Sequence, residues 1–442
     1  MSEQPWRIVD LDLADGPRAV EASGQPHLLV FWWSGLPLGI RGLSSAELPF
    51  SAAQVAETAA PMIADQALAR GLDGSRWRAG VDAIVRDGPR LDEAARMDAL
   101  GVLDAAARPS AADTSGLSVV ICTRDRPQML AKCLQSLALQ ASPPGQVVVV
   151  DNSRDGNARP VCEGRAGVSY VHEPRPGLSC ARNAGIAAAR GEFIAFTDDD
   201  AELSATWTQD LIRAFDDPSV DAVTGLVLPA VLDTPAQRAF ELELGGFTGR
   251  YFPLVFDSAF LAMTRDMGPQ VWRIGAGANM AFRQKVFARF GVFDERLGAG
   301  ASGCSEDSEF WYRVLAGGGI CLYEPRAVVR HHHREDWAGL RRQYRAYMRG
   351  HVSALVAQAD RYGHSGNIRR IFRQLPMYFL RTAVLAVQNL QGWRLRLLAE
   401  EFIGWALGLQ YLIRPKWRRA GQFGPDPKRE AAAATHAQMQ RA

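Results

Sequence analysis

Three consecutive carboxylates, Asp198, Asp199 and Asp200, follow the apolar run FIAF. Acids crowded at the end of a buried strand repel one another, and a hard divalent cation bridged to phosphate oxygens would offset that repulsion. An acidic turn capping the next helix is the plainer alternative, because aspartate is a good N-cap residue. Asp151 ends the run VVVVDNS and could accept hydrogen bonds from a base or ribose, or close a turn with Asn152 and Ser153. Thr123, Arg124 and Asp125 follow SVVIC, where a hydroxyl and a cation suit a diphosphate, while Arg124 could equally be a solvated turn residue. In PRPGLSCARNAGI, Gly177 precedes a helix that carries Arg182 and Asn183 in its first turns, an arrangement that favours anionic phosphate. The alternative there is Ser179 as the cap and Arg182 as surface cover.

Two later clusters could complete a reaction. Glu306 and Asp307 open an amphipathic helix after the glycine-rich stretch LGAGASG. A carboxylate in that place could take the proton of an acceptor hydroxyl while the loop orders over substrate. Acids also favour first helical turns through the helix dipole alone. In VVRHHHRED, His331 and His333 share one face of a strand and His332 the other. One neutral imidazole could join carboxylates around a borderline cation such as Mn2+; surface or packing histidines are the alternative.

The elements that must position these residues follow a repeating pattern. LSVVICTRDRP reads as a buried strand, Gln128 to about Gln140 as a helix and QVVVVDNS as a second strand, which is a β-α-β unit and implies a parallel sheet. A helix over Ser179 to Ala189 and the strand GEFIAFTDDD repeat it. Each strand turns polar at its carboxyl end, where open α/β sheets bind ligands.

In this order, SVVICTRDRP, VVVVDNS, GLSCARNAGI, FIAFTDDD, GAGANMAFRQKVFARFGVFDERLG, SEDSEFWYRV and VVRHHHR resemble the family 2 glycosyltransferases. The resemblance implies the α/β, mostly parallel GT-A fold of nucleotide-diphospho-sugar transferases and an inverting reaction of the kind used for bacterial cell-surface polysaccharides. It implies a donor site of Thr123, Arg124, Asp151, Arg182, Asp198, Asp199 and Asn279, with Asp151 on base and ribose, Arg182 near the phosphates and Asn279 in the sugar and acceptor cleft. Asp198 and Asp200 match the ends of a DxD motif whose middle position, Asp199, is also acidic, so which carboxylates touch metal stays open. His331 matches a histidine near or on the metal, Mn2+ or Mg2+, with His333 as the other candidate. Asp307, paired with Glu306, matches the catalytic base.

Around this core the sequence divides into an accessory α+β domain at 1–105, a linker at 106–116, the catalytic domain at 117–336, a basic amphipathic helical region at 337–420 and an Ala-rich tail at 421–442 expected to be disordered. HLLVFWWSGLPLGI reads as a hairpin and Ala52 to about Leu72 as a helix. With 47% hydrophobic and 22% charged residues the chain is too apolar to be disordered throughout. Residues 338–420 hold 15 Arg or Lys against 3 Asp or Glu, although the whole chain carries only +2. Their longest uncharged runs, Thr382–Trp393 and Phe402–Ile413, have 12 residues each, short of the roughly 20 needed to span a bilayer. Helices lying on an anionic membrane that presents a glycan or lipid-linked acceptor are one reading, and packing on the catalytic domain or a second subunit the other. No nucleic-acid module is recognisable. The first residues, MSEQPWRIVD, lack the pattern of a secretory signal, so a cytoplasmic protein is expected. The six scattered cysteines read as reduced core residues. A metal-dependent nucleotidyltransferase and a non-catalytic carbohydrate-binding protein are the competing functions. The first has no need of the Glu306-Asp307 pair, and the second has no need of the acids.

Overall fold

The computed structural model describes residues 4–71, 103, 105–107, 112–247, 249–411 and 413. The expected tail at 421–442 and part of the expected linker lie outside them. At the N-terminal end, β1 (Arg7–Asp12) runs parallel to β2 (His27–Trp33), which forms the expected hairpin with β3 (Leu36–Leu43). The strand β2 is apolar almost throughout because both of its faces are covered. Leu29 and Phe31 pack with Val55 and Ala59 of α1 (Ala52–Gly71), while Val30 packs with Leu226, Leu228 and Val328 of the larger sheet.

That larger sheet holds β4 (Leu117–Thr123), β5 (Gln146–Asp151), β6 (Val168–His172), β7 (Phe193–Asp198), β8 (Ala201–Leu203), β9 (Ala222–Pro229), β10 (Leu254–Phe256), β11 (Asn279–Arg283) and β12 (Cys321–His331). Their order is β10-β12-β9-β11-β7-β4-β5-β6, with the short β8 paired to β12. Six strands point one way; β8, β10 and β11 oppose them. The expected GT-A architecture, a mostly parallel sheet flanked by helices with a small N-terminal sheet and C-terminal helices, is the one found.

Strand side chains alternate between two faces, and each face has its own core. Val119, Ile121 and Val149 pack against α2 (Pro127–Ala138) and the Trp207 and Leu211 side chains, whereas Val120, Cys122, Val148 and Val150 pack against α3 (Leu178–Ala188) and the aromatic cluster of Phe282, Phe293 and Phe310. All six cysteines are free, five of them buried and Cys304 partly so. The helix α4 (Trp207–Arg213) follows β8, α5 (Ser258–Thr264) follows β10, and α6 (Glu306–Ala316) precedes β12.

Among the described residues, three long helices follow β12: α7 (Trp337–Tyr362), α8 (Leu375–Gln388) and α9 (Gly392–Tyr411). They dock through small residues. A Cβ on Gly404 or Gly408 would meet the carbonyl oxygens of Arg345 and Arg349 at 2.3 and 3.0 Å, so α9 lies directly on the α7 backbone. Gly350 of α7 likewise sits on the Cys304 backbone just before α6. Among the described residues, no helix is long and apolar enough to cross a membrane.

Close approach also fixes α3. A Cβ on Gly185 would lie 2.3 Å from Val120 Cγ1 in the strand beneath. Gly185→Val should therefore overpack this layer and lower stability by about 1–3 kcal/mol, read by urea denaturation. An unchanged midpoint would show that α3 does not rest on β4 as described.

Candidate active site

The carboxyl ends of β4, β5 and β7 meet at one rim, where β7 ends at Asp198 and the chain turns through Asp199 and Asp200 into β8. Pairing of β8 with β12 sets His331 opposite Ala201, and the His332 N–H donates to the Asp200 carbonyl at 2.9 Å. This register delivers the His331 imidazole to Asp200, with Nε2 3.1 Å from Oδ1. Ligand atoms of Asp198, Asp200 and His331 all lie within 4.8 Å of one another.

The middle acid departs from this group. Asp199 is fully buried and turned inward, accepting the Thr123 hydroxyl at 2.7 Å, with an Arg126 guanidinium nitrogen 2.6 Å away. Arg126 also reaches Asp200 at 2.5 Å, so one guanidinium spans both carboxylates. Burial, reinforced by Asp200, pushes the Asp199 carboxyl up to about 7. Burial likewise raises Asp198, against the pull of Arg182. At Asp200 burial loses to its neighbours: His331 and Arg126 hold it well below the usual carboxylate range. His331 shows the reciprocal effect, since burial lowers its pKa but Asp200 more than restores it.

A second group lies beside the first. Arg182 is 2% exposed and joins the Glu306 carboxylate at 2.6 Å, the Gly277 carbonyl at 3.2 Å and Asp198 at 3.6 Å. Burial raises Glu306 to about 7 despite Arg182. Asp307 is placed differently. It is partly exposed, accepts the Gly277 and Ser308 N–H groups at 2.9 and 2.6 Å, and lines a cleft of about 1990 Å³ that also reaches Asp198, Asp200 and His331. Ser305, just before α6, has φ +70°, and Asp125 beside Arg126 has φ +58°; these left-handed residues bracket the site, where local strain is commonly concentrated.

The remaining expected residues are placed as follows. Asp151 is fully buried, and its carboxylate accepts the Ser153 and Ala158 N–H groups and the Tyr170 hydroxyl. It holds the turn after β5 from within and is not among the residues lining the cleft. Asn279 is also fully buried. Its amide takes the Trp207 indole N–H at 2.9 Å and donates to the Leu226 and Ala327 carbonyls, so it ties β11 to its neighbours. Arg124 is half exposed at the cleft edge, 3.6 Å from Asp125. His333 is bonded to Glu241 at 2.9 Å, and its ring lies tilted against Phe240 with centroids 4.7 Å apart, while it is His331 that reaches Asp200.

Arg126 is the site residue that the sequence reading passes over. Its signal was present in TRDRP, where two arginines flank an aspartate, but only the pairing of β4 with β7 shows which one reaches the acids.

The model of "Glycosyl transferase family 2" matches residues 118–291. The chain is 28% identical over 239 residues to the pre-mycofactocin glycosyltransferase of Mycobacterium tuberculosis, covering 52% of this chain and 46% of that protein. It is 28% identical over 241 residues to the succinoglycan biosynthesis protein ExoM of Rhizobium meliloti, covering 52% of this chain and 70% of ExoM. The chain thus spans less than half the length of the first relative. Among solved structures it is similar to the mannosyltransferase PcManGT from Pyrobaculum calidifontis in complex with GDP-Man and Mn2+, at 17% identity and a TM-score of 0.46, over 69% of this chain and 88% of that one. The matched segment and these relatives support reading residues 118–291 as a family 2 glycosyl transferase segment.

Proposed function

We propose that this glycosyltransferase moves a sugar from a nucleotide-diphosphate donor to an acceptor hydroxyl with inversion, in synthesis of a surface polysaccharide or glycolipid. The observation that carries this reading is the Asp198, Asp200 and His331 cluster opening into the same cleft as Asp307. Two relatives with polysaccharide or glycosyltransferase names support it. Catalysis is assigned to 117–336, acceptor delivery to 337–420 and an accessory role to 1–105.

The cluster suits a divalent ion. Asp200 Oδ1 is buried without a hydrogen-bond donor of proper geometry, and two carboxylates with one imidazole match the donor set of Mn2+ better than that of a purely oxygen-seeking ion. Asp198, Asp200 and His331 would hold it. Such an ion stabilises charge developing on a leaving diphosphate. Arg126, already bridging Asp199 and Asp200, adds a cation at the same rim. Arg182 is committed to Glu306 and Asp198, so its part is to fix those acids and keep the region near neutrality.

Asp307 is the carboxylate left to act as base. The Gly277 and Ser308 N–H groups orient it, while Glu306 is withdrawn into its pair with Arg182. With Asp307 as base and Asp198 and Asp200 assigned to the ion, direct attack by the acceptor opposite the leaving group gives inversion without a covalent intermediate. A base contributes about 10²- to 10⁴-fold, so Asp307→Asn should lower kcat by that factor and leave donor binding near wild type. Wild-type turnover would remove Asp307 from the mechanism. Chelation should abolish turnover, with Mn2+ restoring it to wild type but not to Asp200→Ala; full activity in EDTA would exclude the ion.

The reading includes peripheral contact with the cytoplasmic face of an anionic membrane. Met377, Leu380, Val384 and Val387 recur along one side of α8 and are 45%, 67%, 47% and 59% exposed, with the exposed Arg373 and Arg381 beside them. Apolar side chains flanked by arginine suit an anionic lipid interface. The protein should float with phosphatidylglycerol liposomes at physiological salt, and Leu380→Gln with Val387→Gln should leave most of it in the pellet fraction. Equal recovery of both proteins with lipid would reject α8 as the contact.

A further inference from the structure

Three arginines lining the cleft are buried or partly buried: Arg182 fully, Arg126 and Arg370 in part. The first two have carboxylates at 2.5–2.6 Å. Arg370 has none among the described residues. Its Nε–H points to His351 Nε2 at 3.3 Å, its Nη1 donates to the Gln374 side chain at 3.0 Å, and its guanidinium lies 4.5 Å above the Trp272 ring. Burial, with the neighbouring cation Arg273, depresses Arg370 to about 10, and burial with Arg370 drives His351 down to about 3. His351 is therefore neutral at pH 7 and contributes no third charge. A partly buried cation beside a second, exposed one without an anion is costly, and elsewhere in this chain buried or partly buried arginines are paired, as in Arg296–Asp294, Arg313–Glu309 and Arg394–Glu401.

Two further features mark this end of the cleft. Arg370 opens a π-helical turn, Arg370–Gln374, a backbone form enriched at functional sites. The polar group is also bordered by exposed apolar side chains: Met263 is 76% exposed, Met267 is 60% exposed with its sulfur 3.7 Å from Gln374, and Trp272 is 37% exposed. A bidentate cation beside a bare apolar surface matches a molecule that carries a phosphate on a hydrocarbon chain.

We propose that Arg370 and Arg273 form an anion subsite for the phosphate of an amphipathic acceptor, with Met263, Met267 and Trp272 accepting the attached chain. The subsite deepens the glycosyl-transfer reading, because it lies in the cleft that contains Asp307 and would hold the acceptor from the end opposite the donor.

The test is direct binding to the whole protein by calorimetry in EDTA, without donor, using octyl phosphate, octyl glucoside and inorganic phosphate. Octyl phosphate should bind wild type about tenfold or more tighter than either of the others, and Arg370→Gln and the exposed Arg273→Gln should each weaken it by a similar factor. Arg273→Gln covers the case in which the Arg370 variant fails to fold. Unchanged affinity in both variants, or equal binding of octyl glucoside, would overturn the subsite. Inorganic phosphate binding as tightly as octyl phosphate would overturn the amphipathic acceptor. Hydrolysis of nucleotide sugars by the wild-type protein is scored separately, so failure of the transferase reading and failure of the subsite remain distinguishable.

Discussion

The structure turns on the electrostatic crowding of three consecutive acids at one strand end. Alternation along the chain sends Asp199 inward and leaves Asp198 and Asp200 together, so the protein must supply cations on both sides of the turn. It does so from four elements: Arg126 at the start of α2, Arg182 in α3, His331 at the end of β12, and the Thr123 hydroxyl of β4 as an uncharged donor. The reversal of β11 between β7 and β9 belongs to the same arrangement, because it spaces β12 from β7 across the sheet while β8 returns to meet β12 directly. Loss of one cation would leave a buried carboxylate uncompensated, which is more costly than loss of the whole pair.

The helices after β12 are continuous with this site. The α7 backbone lies against Cys304 through Gly350, and Arg349 donates to the Ala301 and Ser302 carbonyls of the glycine-rich loop. The loop that carries Ser305 into the left-handed region is thereby clamped from behind. A charge gradient results along the cleft, from the acid cluster at the sheet rim, past Asp307, to Arg273 and Arg370, which have no carboxylate partner among the described residues. Those ends differ in what they can attract.

The sequence disclosed the sheet and the acid cluster for a physical reason. Buried parallel strands are apolar runs that end abruptly in polar residues, and SVVICTRD, VVVVDNS and FIAFTDDD all have that form. Side-chain direction was less legible. Asp151 and Asp198 occupy the same kind of strand end, yet Asp151 is captured by backbone N–H groups that a tight following turn supplies, and Asp198 is not. Asn279 carries the same ambiguity, since a polar residue at a strand start can face a cleft or satisfy a buried indole. The unpaired state of Arg370 was invisible because it depends on the absence of an acid in three-dimensional space, in a region whose sequence shows only general basicity.

Gly277 joins the two working parts of the site. Its N–H is held by Asp307 and its carbonyl by Arg182, and a Cβ there would come within 2.9 Å of both side chains. One residue, through its two flanking peptide groups, thus touches both the carboxylate facing the acceptor and the cation that pairs Asp198 at the donor rim. With its N–H and carbonyl both engaged and no room for a Cβ, Gly277 is held between the two side chains. The distance between base and donor is therefore set by the backbone of the segment before β11, and the acids need no direct contact with each other to stay in register.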